Sequence, residues 1–201
     1  FSNNLDEFFQ VRYATVKRIA QSSKTGKRVF AGRSAEALLK EITNKVIDLQ
    51  DESLKILNGI YKEMERENIF FIDQNEVKPE QEKFLKNYFI QNVNPALVTI
   101  ILSQNREQDL STNKAFLIIT MTLDEESEDQ NIYALIEIPK DIKRFVVLPK
   151  NKDGKQYIMM LDDLIRYHFH MIFSFFKYKT IQAHMLKITR DAELDLEEDV
   201  S

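Results

Sequence analysis

The chain opens with Phe1-Ser2-Asn3-Asn4-Leu5-Asp6-Glu7-Phe8-Phe9-Gln10-Val11-Arg12. This stretch combines two asparagines, two carboxylates, three phenylalanines and an arginine. Its apolar side chains continue at steps of three and four residues through Val16, Ile19 and Ala20, which predicts an amphipathic helix from about residue 3 to residue 21. A plain solvated helix has little use for this mixture, so the stretch is also a candidate binding element.

A second, longer helix is predicted after the polar break from Ser22 to Gly26. Ser34 suits the N-cap of this helix. Apolar side chains then recur in a near-heptad stripe at Leu39, Ile42, Val46, Leu49, Ile56, Ile60 and Met64. The helix would be about 50 Å long and needs helical partners along its length. We therefore expect residues 1–75 to form an incomplete three-helix bundle whose first helix precedes Phe1.

The remaining residues, 76–201, have a different pattern. Pro79 suits the first turn of a helix with Phe84, Leu85, Tyr88 and Phe89 on its inner face. Short β-branched or aromatic runs follow at 115–123, 132–138, 145–148, 157–161 and 180–189. An acidic hairpin loop at 124–129 separates the first two of these runs, and Asp162 is the expected cap of one helix that reaches Phe173. The run at 69–72 is either a strand or the exit from the bundle. This pattern predicts an α+β head domain with a mainly antiparallel sheet, and an α+β fold for the chain.

Composition excludes several classes of site. The chain lacks cysteine, so thiolate metal sites, disulfides and a cysteine nucleophile are excluded, which fits a cytoplasmic protein. The four glycines are scattered, so no glycine-rich phosphate loop is present. No apolar run is long enough to predict a transmembrane segment. On these residues alone the chain reads as a binding or scaffolding unit, with no catalytic group and no metal ligand set.

Three histidines remain as candidates for chemistry: His168, His170 and His184. Two residues apart on a regular helix, His168 and His170 would point to different sides and are not expected to share a metal. Packing or surface positions are the simplest interpretation of all three.

Charge is unevenly distributed along the chain. The net charge is −4, but Lys17 to Arg33 holds six basic side chains and no acidic one. Such a stretch could attract a polyanion such as polyphosphate, and a solvated basic loop is the alternative. Nucleic-acid binding is not expected, because the chain is acidic overall and Phe30 is the one aromatic residue within the basic stretch.

Motifs along essentially the whole chain resemble those of the long-chain polyphosphate kinases. Phe1 to Arg12 is similar to the N-terminal signature of that family, and Gln81 to Phe89 to the helix that opens its head domain. Tyr133 to Pro139, with Arg144 to Val146, is similar to its paired strands. Leu161 to Arg166 resembles its last long helix, and Ile188 to Leu194 resembles the Thr-Arg-Asp-Ala motif that closes the head domain.

This resemblance implies an enzyme that reversibly transfers the terminal phosphate of ATP to long-chain inorganic polyphosphate, with ADP as the other product. It implies a helical bundle, a head domain used to form a homodimer or higher homo-oligomer, and two C-terminal catalytic domains. The phosphorylated histidine and the Mg²⁺ ligands belong to those catalytic domains, so none is expected here. The fragment alone is expected to be inactive.

Two residues are assigned from the resemblance. Asn4 corresponds to the second asparagine of the signature, which implies an ATP contact; capping of the first helix is the alternative that the residue type alone favours. Arg190 is expected to form an interdomain ion pair or to line the route of the growing polymer. A different class of function also stays open, namely a non-catalytic helical and α+β module that binds a protein partner.

Overall fold

The computed structural model describes residues 2–21, 32–102, 114–123 and 131–188. Its contacts divide the chain into two compact units, and the boundary between them in the described chain lies between Ile60 and Tyr61. The domain boundary near residue 75, which was inferred from a change in the sequence pattern, stays a prediction. The α+β fold class is confirmed.

The first unit is helical in its described part, and its last helix continues past the boundary into the second unit. A continuous helical stretch comprises α1 (Ser2–Glu7), a π-helical segment π1 (Phe8–Tyr13) and α2 (Ala14–Gln21). The 32-residue helix α3 (Ala35–Arg66) begins as predicted, because the Ser34 hydroxyl accepts the N–H of Ala37 at 3.2 Å. Both predicted helices are therefore confirmed, with α3 about 48 Å long.

The apolar stripe of α3 is covered unevenly. Leu39, Ile42, Val46 and Leu49 are half-buried, whereas every residue from 50 to 60 is exposed. Ile56, for example, exposes 59% of its surface to solvent. The first helix of the predicted bundle stays a prediction, and the exposed stripe of α3 is the surface that such a helical partner would cover.

The second unit contains two sheets. A four-stranded antiparallel sheet has the order β2 (Val98–Leu102), β4 (Asn131–Glu137), β3 (Ala115–Leu123) and β7 (Tyr178–Lys187). A three-stranded sheet has the order β1 (Ile69–Ile72), β6 (Gln156–Met160) and β5 (Phe145–Val147), with β1 parallel to β6. The run at 69–72 is thus a strand, and β3 and β4 pair as a hairpin requires. Strand β2 was not predicted from the sequence.

One core joins the two sheets to the helices of this unit. Strand β3 alternates, so Leu117, Ile119 and Met121 point inward and are fully buried. The helix α4 (Pro79–Tyr88) begins at Pro79 as predicted, continues through a π-helical segment π2 (Phe89–Val93) and a 3₁₀ turn (Asn94–Ala96), and buries Leu85 and Phe89 in the same core.

The predicted helix from Asp162 to Phe173 is wrong in two details. It consists of α5 (Leu161–Tyr167) and α6 (Phe169–Ile172), with an interruption at His168. Met160, rather than Asp162, is its N-cap residue. The Asp162 carboxylate instead accepts a hydrogen bond from Arg166 at 2.7 Å, and Asp163 accepts another from the same guanidinium at 2.9 Å. An ion pair one turn along the helix therefore replaces the expected cap.

We predict that Leu164→Ala lowers the free energy of unfolding of the second unit by about 2–5 kcal/mol, because it leaves a cavity in the core. Leu164 is fully buried in the cluster around β3. Urea unfolding followed by far-UV circular dichroism measures the change. The matched control is Ile56→Ala on the exposed stripe, for which we expect a change below about 0.5 kcal/mol. Equal losses for the two variants would contradict this placement of the core.

Candidate functional site

The signature segment at the start of the chain is helical, and its aromatic rings pack on one another. The Phe8 and Phe9 rings lie 5.7 Å apart edge to face, and the Phe9 and Tyr13 rings lie 4.8 Å apart. These spacings are within the range in which aromatic pairs attract. The phenylalanines of the signature therefore stabilise the helical turn that follows Asn4.

The second half of the signature is a π-helix, which the sequence did not predict. The N–H of Ala14 donates to the carbonyl of Phe9, five residues earlier, and the Thr15 hydroxyl donates to the carbonyl of Val11 at 2.7 Å. Single π-helical turns are rare in proteins overall, but those that occur often lie at functional sites. The wider register changes the directions of side chains from Phe8 onward relative to Asn4, so a regular helical wheel would misplace Arg12.

Asn4 lies within α1 and its side chain is exposed. Because α1 already includes Ser2, Asn4 is inside the helix, and the alternative that it caps the helix is wrong. An exposed carboxamide offers two N–H donors without adding charge. The side chain is therefore available to a phosphate oxygen.

Some residues singled out in the sequence lie outside the part of the chain that the structure describes. Arg190 lies outside the described residues, as does most of the basic stretch, from Ser22 to Ala31. Arg12 lies in π1 and is exposed. Of the sequence-predicted site, the structure thus places Asn4 alone, and the roles of Arg190 and of the basic stretch stay predictions.

His168 is a packing residue. Its side chain is 1% exposed, its ring stacks on Phe89 with the centroids 4.2 Å apart, and its Nδ1–H donates to the Leu164 carbonyl at 2.9 Å. Burial, with smaller contributions from His170 and Lys86, holds the pKa of His168 below its usual value. Neutral imidazole is therefore the form that the fold stabilises.

The expected separation of His168 and His170 is wrong. Their ring centroids lie 5.9 Å apart, because the helix is interrupted at His168. His170 is exposed, as is His184 on β7. Among the described residues there is no group of three histidine or carboxylate side chains that could hold a metal ion. Within the same residues, no helix has the length and apolarity needed to cross a membrane.

Comparison with known proteins identifies the class of protein to which these two units belong. Residues 1–72 match the family model described as the polyphosphate kinase N-terminal domain, and residues 80–201 match the polyphosphate kinase middle domain. The class is therefore that of proteins with these N-terminal and middle domains in this order, consistent with the helical first unit and the α+β second unit. The chain belongs to the polyphosphate kinase family.

Curated relatives agree with this assignment over the full chain. The polyphosphate kinase of Vibrio cholerae is 35% identical over 207 residues, and that of Yersinia pestis is 36% identical over 203 residues. The chain spans 28% of the length of each of these relatives. A crystal structure of polyphosphate kinase from Porphyromonas gingivalis has a TM-score of 0.78 over 96% of the chain at 23% identity, which supports the fold.

We predict that the free energy of unfolding falls as the pH drops below about 6.5, the ordinary pKa of histidine. The pKa of His168 is lower in the folded state, so the unfolded chain binds more protons in this window and acid favours unfolding. Above that window the contribution is constant. Urea titrations between pH 5 and pH 8 measure the slope.

The non-titrating variant His168→Gln should flatten this part of the pH dependence, whereas the control His184→Gln, at an exposed position, should keep it. An unchanged slope in His168→Gln would contradict the assignment of the slope to this residue.

Proposed function

We propose that this chain supplies the N-terminal and head domains of an enzyme that reversibly transfers the terminal phosphate of ATP to long-chain polyphosphate. The observation that carries the proposal is the match of both domain models, in order, over nearly the whole chain. The phosphohistidine intermediate, and the residues that bind Mg²⁺, belong to catalytic domains outside residues 1–201. ATP as substrate and the lack of cysteine support a cytoplasmic location.

A separate helical domain can contribute to such a reaction without catalytic groups of its own. Phosphoryl transfer depends mainly on alignment and on neutralisation of charge, which Mg²⁺ and cationic side chains supply. A neutral donor that fixes one phosphate oxygen adds alignment without binding the anion so tightly that the product cannot leave. Asn4 fits this role, because its carboxamide is exposed and lies on a helix braced by the Phe9 and Tyr13 rings.

We predict that Asn4→Ala in the full-length protein lowers kcat/KM for ATP by about tenfold, which corresponds to the loss of one hydrogen bond to a charged group. Initial rates of polyphosphate synthesis at varied ATP concentration measure the effect, and thermal unfolding should be unchanged because the side chain is exposed. The control is Gln21→Ala, which removes another exposed amide from the same helical stretch. ATP kinetics equal to those of the parent in Asn4→Ala would refute the role.

The alternative is a module without a catalytic role in its parent, whose α3 helix and head domain bind a protein partner. The exposed apolar stripe on α3 favours it as a description of the isolated chain. The sequence of the parent reading frame distinguishes the two proposals. For the first proposal to hold, that reading frame must encode the catalytic histidine and arginines. A full-length protein that forms no polymer from ATP and Mg²⁺ would favour the module.

We further propose that the head domain forms a homodimer or a higher homo-oligomer. Two features of the second unit favour self-association. Phe175, between α6 and β7, is 96% exposed, and β7 forms one edge of the four-stranded sheet over ten residues. A long edge strand can pair with a second chain, and Phe175 close to its start adds exposed apolar surface to the same region.

We predict that Phe175→Ser weakens self-association of the full-length enzyme by at least about tenfold in dissociation constant, measured by sedimentation velocity over a dilution series. The control is Ser174→Ala beside it, also exposed, which removes no apolar surface. A Phe175→Ser variant that sediments as the parent does at every concentration would rule out this contact.

A further inference from the structure

The second unit contains a cavity of about 490 Å³ between the first turns of α4 and the loop that joins β5 to β6. We call it the α4 cavity; it is lined by Glu80, Gln81 and Phe84 of α4, by the loop from Leu148 to Asp153, and by Tyr157 of β6. Its volume lies in the range of about 300–1,000 Å³ typical of small-molecule sites. Nothing in the proposed phosphotransfer uses it.

Part of the lining of the α4 cavity is apolar. Phe84 and Tyr157 contribute aromatic rings, and Leu148 and Pro149 continue the surface. The Tyr157 ring is held in place, because it packs against Phe70 at 5.6 Å and its hydroxyl accepts a hydrogen bond from the Lys78 ammonium at 3.2 Å. Such a surface suits a planar ring, and a featureless polyanion would gain nothing from it.

The loop between β5 and β6 adds two cationic side chains to the lining. Lys150 and Lys152 line the cavity, and neither pairs with a carboxylate among the residues that the structure describes. The loop between them is organised by Asn151, whose side-chain oxygen accepts the N–H groups of Asp153 at 3.1 Å and Lys155 at 2.8 Å. Gly154 completes the turn at φ 76°. The loop backbone is thereby fixed, and the two lysines that it carries can pair with a phosphate.

Polar side chains make up the rest of the cavity lining. The carboxylates of Glu80 and Asp153 accept hydrogen bonds, as ribose hydroxyls or an exocyclic amine would require. The Gln81 side chain is oriented, because its oxygen accepts the N–H of Lys78 at 2.9 Å. Carboxylates would repel a polyphosphate chain, so the combination of aromatic rings, acceptors and two cations favours one class of ligand.

We propose that the α4 cavity binds a nucleoside mono- or diphosphate, with the base against Phe84 and Tyr157 and the phosphate at Lys150 and Lys152. This site is separate from the ATP contact proposed for Asn4, and it does not rest on the phosphotransfer proposal. The head domain then has a nucleotide site of its own. The concentration of nucleotide can therefore act directly on this domain, for which no catalytic group is proposed.

The test is NMR titration of the ¹⁵N-labelled 201-residue chain with AMP, ADP, adenosine and inorganic tripolyphosphate as separate probes. We expect AMP and ADP to saturate with dissociation constants below about 1 mM and to shift the amides of residues 150–157. The double variant Lys150→Gln/Lys152→Gln should weaken ADP by about tenfold. The matched control Lys140→Gln/Lys143→Gln removes two exposed lysines outside the cavity and should bind as the parent does.

Further probes decide between ligand classes. Phe84→Leu should weaken ADP and leave tripolyphosphate unchanged. Tripolyphosphate that binds as tightly as ADP would overturn the proposal in favour of a polyanion surface, and adenosine that binds as tightly as AMP would overturn the role of the lysines. Binding that is lost in Asn4→Ala but kept in the lysine variant would place the nucleotide at Asn4 and refute the cavity site. An absence of shifts at residues 150–157 would do the same.

Discussion

The inner face of β3 is the constraint on which the second unit depends. Strand β3 pairs with β4 on one side and with β7 on the other, so its alternating side chains fix which face of the whole sheet is apolar. Leu117, Ile119 and Met121 must then be covered, and α4, π2 and α5 do so with Leu85, Phe89 and Leu164. A one-residue slip of β3 would move all three of its inward side chains out of this core, so the register and the helix packing stabilise each other.

The α4 cavity is a consequence of this packing. Phe84 lies one residue before the buried Leu85, so burial of α4 leaves Phe84 at the margin of the core. Tyr157 is brought opposite by the parallel pairing of β1 with β6, in which Phe70 is aligned with Tyr157. The loop from Leu148 to Asp153 forms the remaining side of the cavity. Its position is fixed because the N–H of Leu148 donates a hydrogen bond to the carbonyl of Tyr157 at 2.9 Å. The cavity is thus bounded by elements whose positions the core already determines.

Much of the fold was predictable from local patterns. Ser34 and Pro79 mark helix starts by capping and by the preset φ of proline, and the alternation from Ala115 to Leu123 identifies β3. Strand β2 was missed although Val98–Leu102 is rich in β-branched residues, which is the composition of a strand. The interruption of the helix at His168 was missed because the spacing of apolar residues continues across it. The interruption accompanies a long-range contact, in which the imidazole ring of His168 stacks on Phe89 of π2.

The candidate site was less predictable than the fold, for two reasons. Asn4 was identified only through resemblance to a family signature, since its residue type alone favours a helix cap, and the π-helical register after it leaves no trace in the spacing of side chains. The α4 cavity combines residues near position 80 with residues near position 155, which no short motif can relate.

Net charge is also a poor guide to where anions bind in this chain. Residues 67–201 carry 16 basic and 23 acidic side chains, which suggests a domain that repels phosphate. At physiological ionic strength, however, charges more than about 8 Å apart are largely screened, so a phosphate responds to its immediate neighbours. Lys150 and Lys152 stand on a loop held by Asn151, and the ammonium of Lys78 is drawn to Tyr157 nearby. Lysines on a loop whose backbone is fixed by Asn151 can therefore bind a phosphate on an acidic domain, while Glu80 and Asp153 disfavour ligands that are anionic along their whole length.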